Sequence, residues 1–277
     1  VKKAILIALC LSAAAIWRTD GFSPDLTQIP LMQCPDPMSD WEHIPTTFHY
    51  LGRGRQAFAF ESGGIVLKLF NKKDLNRPWK AYLPDWSRSV QKERVRWREK
   101  VRIFPESYRL AFEKMGADTG LLLVHVGQSQ RRFPVVQIID KASRSFFIDL
   151  NEVPFVLQKQ GTELFSHAIK DEARLDQYVT QFLDFHVRRT GQCIADYDRD
   201  YKRNYLLQDE TLLYIDPARF FYEPNLKNEQ RLRFEWWKAT HRLRKWIGKN
   251  APDRLLSFDR KVEECILRVR RESQSGE

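Results

Sequence analysis

The stretch IADYDRDYKRNYLLQDETLLYIDPARFF, from Ile194 to Phe221, sets three aspartates at alternate positions, Asp196, Asp198 and Asp200. Asn204 then opens a short apolar run, and the return run LLYI delivers Asp216 just ahead of Pro217. Carboxylates and an amide oxygen brought together by a hairpin are hard oxygen donors of the kind Mg²⁺ takes. That ion uses one or two protein carboxylates and completes its shell with phosphate oxygens and water. A further carboxylate nearby can accept the proton of an attacking hydroxyl. A solvated acidic turn would account for the alternating aspartates, but it has no need of Asp216 at the end of an apolar strand.

A second set lies upstream, in YLGRGRQAFAFESGGIVLKLF. Gly52 and Gly54 interrupt a strand-like pattern, and glycine inside a strand marks a bend or a close backbone approach. Lys68 follows Val66 and Leu67, so its stem is expected to be half buried and its ammonium held at one place. Lysine is a compact point charge suited to phosphate oxygens. Taken singly, a hairpin kink and an edge-protecting lysine explain these residues equally well.

The elements that must carry these groups follow from the apolar patterning. A hairpin is expected over 48–60 and 64–70, then a polar, proline-broken loop. A helix runs from Ser89 to about Pro105 and a second short one from Ser107 to Met115. Strands are expected at 120–127, 133–140, 144–150 and 153–161. Beyond Gly161, Leu175, Tyr178, Val179, Phe182, Leu183 and Phe185 recur at helical spacing, with Gly191 as the expected C-cap. Strands at 205–207 and 212–216 bracket the turn QDET, and helices fill 225–247 and 252–271. Strands first and helices afterwards predict an α+β protein of two lobes with a cleft between them. The boundaries read as 18–45 linker, 46–160 strand-rich N-lobe and 161–277 helical C-lobe.

In order and spacing these segments resemble the protein kinase-like superfamily, over roughly residues 48 to 222. GRGRQAFAF…VLK looks like its Gly-rich loop and strand lysine, with Gly52 and Gly54 as the first two glycines and Ala57 where the third usually stands. FVLQKQGTEL resembles the segment that docks adenine, and FLDFHVRRTGQCIADYD the helix entering the catalytic loop. NYLL…LYIDPARF is similar to the metal-binding asparagine and aspartate segment. The resemblance implies ATP and Mg²⁺ as cofactors. Lys68 is placed on the nucleotide phosphates, Asn204 and Asp216 on the metal, and Asp198 or Asp200 as catalytic base, Asp196 being a third possibility. Arg203 or Arg219 is available to the transferred charge. The family's catalytic aspartate stands five residues before the asparagine, where this chain has Arg199. The glutamate that would pair with Lys68 is open among Glu93, Glu99, Glu106 and Glu113. The implied activity is phosphoryl transfer to a hydroxyl of a protein, sugar or lipid; the alternative is a pseudokinase that binds without transfer.

Composition bounds the rest. The 277 residues are 43% hydrophobic, and 46 Lys+Arg against 36 Asp+Glu leave a net charge of +10. This is a folded basic protein suited to anionic partners, a nucleotide or an anionic membrane surface, with no specific nucleic acid expected. Cys10, Cys34, Cys193 and Cys265 form no C-x-x-C pair, and the six histidines are scattered, so no zinc site or disulfide framework is signalled. Lys2 and Lys3 precede an apolar run to Ile16, which predicts a signal peptide or membrane anchor over 1–17. Export or inner-membrane anchoring follows; a start at Met32 or Met38 instead leaves the domain in the cytoplasm. The aromatic, basic segment RLRFEWWKATHRLRKWIGK suggests membrane or nucleic-acid contact, whereas Leu232, Trp236, Leu243 and Trp246 at helical spacing suggest a core face.

Overall fold

The computed structural model describes residues 19–29, 31–33, 35–37, 39, 41–54, 56–72, 87–163, 172–198 and 203–275. The expected leader, Asp200, Cys10, Cys34 and Met38 lie outside them. The chain is mixed α+β and divides into two compact units, 1–105 with 121–160, and 106–120 with 161–277. The second unit therefore takes in a helical piece that the sequence boundaries assign to the first.

The first unit is a seven-stranded sheet in the order β4-β7-β3-β2-β1-β5-β6. Its strands are β1 (Thr47–Arg53), β2 (Ala57–Ser62), β3 (Ile65–Phe70), β4 (Leu121–His125), β5 (Val135–Ile139), β6 (Ser145–Asp149) and β7 (Phe155–Lys159). The segment 48–60, expected as one strand, is two. The Gly54 N–H donates to the Ala57 carbonyl at 2.9 Å and folds the chain back, so the expected hairpin is a three-stranded meander. Between β2 and β3 a two-residue turn has φ +56° at Gly63 and +81° at Gly64, a backbone that only glycine adopts without strain. β1 pairs with β5 in parallel, and β7 lies antiparallel between β3 and β4.

Alternation along the strands sends Phe48, Phe58, Phe60, Leu67, Leu69, Ile138, Phe155 and Leu157 to one face, all of them buried. Phe22 packs edge-on against Phe58 and Phe60 with centroids 5.1 Å away. The proline-rich stretch read as a linker is thus part of this core. It is also fastened by polar bonds: Asp20 accepts from the Tyr50 hydroxyl at 2.7 Å, and Asp36 accepts from the Val126 and Gly127 amides at 2.9 and 2.7 Å and pairs with His125.

The helical stretch α1 (Arg88–Thr119) joins two helices, as expected, but they do not part at Pro105. Pro105 lies inside the stretch, and the irregularity falls at Met115, with φ −133° and ψ 24°. Glu93 and Glu99 have no described side chain. Glu106 and Glu113 are exposed, and Glu113 pairs with Arg109 at 3.6 Å.

In the second unit, α2 (Glu172–Gly191), α3 (Glu229–Asn250) and α4 (Leu255–Ser275) pack together. Beside them lie two small sheets, β8 (Thr162–Glu163) with β10 (Tyr205–Gln208) and β11 (Thr211–Tyr214), and β9 (Ile194–Asp196) with β12 (Phe220–Tyr222). The six α2 residues expected to be apolar and inward are all buried. Gly191 is not the left-handed cap: it stays helical, and Cys193 takes φ +55° instead. Gly161 has a different reason to be glycine, since a Cβ there would stand 2.7 Å from the Leu207 carbonyl oxygen. On α3, Leu232, Trp236 and Leu243 are buried and Trp246 half buried, the core face that their spacing suggests. Among the described residues no helix is long and apolar enough to cross a membrane.

Candidate functional site

Cys193 turns the chain off α2 into β9, which carries Asp196 into the interior with 6% of its surface exposed. The main chain at Asp196 is gripped from α3 on both sides. Its N–H donates to Glu235 Oε1 at 3.0 Å, and its carbonyl accepts from Lys238 Nζ at 2.9 Å. The same Glu235 Oε1 takes Arg189 Nη1 at 2.9 Å, and Lys238 Nζ lies 2.5 Å from Glu235 Oε2. Arg189 and Glu235 are each 1% exposed. Two cations and, with Asp196 ionised, two carboxylates thus balance away from water, as buried charges require. Burial works to raise the Glu235 carboxyl, but Arg189 and Lys238 outweigh it and hold the group below its ordinary value.

The Asp196 carboxyl is held as firmly. Oδ1 accepts from the Asp198 amide at 2.7 Å and Oδ2 from the Tyr214 hydroxyl at 2.6 Å. Burial pushes its pKa from 3.8 to about 6, with Arg189 and the Tyr214 hydrogen bond offsetting part of that rise. Tyr214 has one proton to give, and the short bond gives it to Asp196. The Tyr214 oxygen therefore accepts from Asn204 Nδ2 at 3.3 Å, which fixes the amide's orientation. Asn204 is 6% exposed, and among the described residues its Oδ1 accepts from none. That oxygen is a ready donor to a cation.

The β10–β11 hairpin brings Asp216 to the same place. Tyr205 pairs with Tyr214, and the ladder continues as the Ile215 N–H donates to the Asn204 carbonyl at 2.8 Å. Asp216 follows, half buried. Its charge, after burial, helps to raise the Tyr108 hydroxyl and, with Asp196, the Tyr214 hydroxyl, both well above the ordinary tyrosine value. Beneath this layer His186 is kept neutral by burial and by the charge of Arg189. Arginine only donates, so His186 Nδ1 accepts from Arg189 Nε at 3.3 Å and Nε2–H faces the Tyr205 hydroxyl at 3.1 Å.

Of the residues singled out in the sequence, Asp196, Asn204 and Asp216 thus converge in the second unit, with Asp198 half buried beside Asp196. Among the described residues no three His, Cys, Asp or Glu side chains gather into a complete metal cage. Mg²⁺ does not need one when phosphate and water fill its shell, so Asn204 and Asp216 fit that ion as a partial donor set. Tyr214, Arg189, Glu235 and Lys238 were not singled out. Glu235 carried a legible signal, being an acid at the helical spacing of the buried Leu232 and Trp236, where a charge demands a partner.

Gly52, Gly54 and Lys68 belong to the first unit. β1 shifts register between Tyr50 and Gly52, and the pairing then runs Gly52–Ala59–Lys68–Val156–Val124 across five strands. Opposed residues share a face, so this row is a strip of small and branched side chains holding one half-buried lysine. Gly52 has no left-handed φ, and a Cβ on it would meet nothing within 4 Å. Neither the backbone nor a neighbour within the protein demands glycine there; what glycine leaves is open space beside Ala59 and Lys68.

No family model matches the chain, and no curated protein matches it. Among solved structures it is similar to the crystal structure of WbdD, with 10% identity and a TM-score of 0.37. The match covers 81% of this chain and 50% of that one, so the chain spans about half the length of the structure it matches.

Proposed function

We propose that this protein is an ATP- and Mg²⁺-dependent phosphotransferase acting on a hydroxyl acceptor. The observation that carries the reading is the hydrogen-bonded series Asp196–Tyr214–Asn204 with Asp216 two residues beyond Tyr214. It fixes the Asn204 amide through its nitrogen, and the charge of Asp216 is felt at the same Tyr214 hydroxyl. Asn204 and Asp216 hold Mg²⁺, which when bound neutralises phosphate charge. Lys68 pairs with the nucleotide phosphates, and Gly52 and Gly54 let the backbone approach them. Asp198, or Asp200, orients the acceptor hydroxyl and takes its proton. Catalysis then depends on positioning and electrostatics more than on covalent chemistry. One observation favours binding without transfer: the Asp196 carboxyl is already occupied by the Tyr214 hydroxyl and the Asp198 amide.

Thermal shift of the full chain with ATP, with and without Mg²⁺, tests the reading. Ligand at 100 times its Kd stabilises a fold by about 2.7 kcal/mol. Mg²⁺-dependent stabilisation is expected in the wild type and lost in Lys68→Ala and Asp216→Ala. Gly52→Val is expected to fold normally, its side chain entering open space, yet to bind ATP more weakly. Transfer of labelled phosphate to water or an added alcohol separates a kinase from a pseudokinase. A folded wild type that shows no shift at millimolar ATP overturns both.

A further inference from the structure

Helix α3 also carries aromatic side chains that the core leaves exposed. Phe234 and Trp237 are 47% and 53% exposed, one helical turn apart, and His241 is the next residue along. Their rings stack on one another, Phe234 on Trp237 at 5.9 Å and 22°, Trp237 on His241 at 4.7 Å and 16°. The rings thus stack as one row along the helix while Phe234 and Trp237 stay about half exposed.

The next strip round the helix is basic. Lys245 and Lys249 are exposed and have no carboxylate partner among the described residues. From Gln230 to Asn250 the helix has a single acid, Glu235, and that one is buried against Arg189 and Lys238. The other flank is different: Arg233 and Arg244 are neutralised by Glu263 and Asp259 of α4. Exposed aromatic rings beside two lysines that lack a carboxylate partner among the described residues are complementary in charge to an anionic surface and in polarity to its interfacial layer. A protein partner would have to supply acidic groups and an apolar slot in register; a bilayer with anionic headgroups offers both everywhere.

We infer that the outward side of α3 docks the protein on an anionic lipid bilayer, with Phe234 and Trp237 entering the headgroup layer and Lys245 and Lys249 meeting lipid phosphates. The inference stands apart from phosphoryl transfer. Co-sedimentation with phosphatidylcholine vesicles, plain or containing phosphatidylglycerol, tests it in the full chain. Binding to the anionic vesicles is expected, weakening as salt is raised. It should fall at least about tenfold in Phe234→Ser/Trp237→Ser and, separately, in Lys245→Glu/Lys249→Glu, with circular dichroism unchanged. Absent binding, equal binding to neutral vesicles, or binding unaffected by both double variants overturns the inference. So does sedimentation velocity showing that these residues instead mediate self-association without lipid.

Discussion

Asp196 is the residue whose environment is most unusual, and its protonation is open to direct test. Its carboxyl sits near pKa 6 in the fold against 3.8 ordinarily, so an ionised Asp196 is a cost at pH 7 that eases as pH falls through 6. His186 acts in the opposite sense. It is buried neutral, its ordinary value is 6.5, and the unfolded chain gains a proton below that pH which the fold refuses. Over pH 7 to 5 the two contributions oppose each other. We predict that Asp196→Asn, lacking the compensating uptake, loses stability on acidification relative to the wild type. One proton of difference is worth about 1.4 kcal/mol per pH unit, readable from urea midpoints at pH 7, 6 and 5. Parallel pH profiles for the two proteins would remove Asp196 as a buried titrating group. Residue types and spacing made Asn204 and Asp216 legible, because an apolar run ending on a polar residue is a local signal. They did not separate Asp196 from Asp198, since what distinguishes these is contact with Tyr214 and α3, over separations the local pattern does not encode.

Among the elements, the long strands and helices were legible because their buried faces repeat at two or 3.6 residues. Failures gathered where one contact outweighs a pattern. The reversal between β1 and β2 is marked by a Gly54–Ala57 hydrogen bond that no apolar pattern announces, and β9 and β12 are three residues each, too short to show a period. The segment before β1 is the clearest case. Its composition reads as linker, yet Phe22 is 3% exposed and touches Phe58, Phe60 and Phe146 edge-on. Removing such a ring leaves a cavity in an aromatic core, which costs about 3–5 kcal/mol. Phe22→Ala is therefore expected to lower the denaturation midpoint sharply, while Leu51→Ala, at a position 48% exposed, leaves it nearly unchanged. Equal midpoints for the two variants would mean that the segment is not structural.

At the scale of the whole molecule, the chain crosses between its units more often than a linear reading allows. Residues 106–120 belong with 161–277 because Tyr108 and Met115 are buried there, Ser107 Oγ donates to the Phe220 carbonyl at 2.5 Å and Arg188 holds Asp118. A fragment 161–277 is accordingly expected to lack the near-ultraviolet circular dichroism of packed aromatics, whereas a fragment 106–277 regains part of it. A well-packed 161–277 would refute this. The order of the first sheet has a consequence for synthesis on the ribosome. β7 lies between β3 and β4, so the edge of β3, finished at Phe70, has no neighbour until Lys159 has emerged. At the usual 5–20 residues per second that is a wait on the order of 5–20 s with open strand edges, the state in which nascent chains pair wrongly. A translational pause in this interval would prolong the exposure, and slow codons are better tolerated after residue 160 than before it.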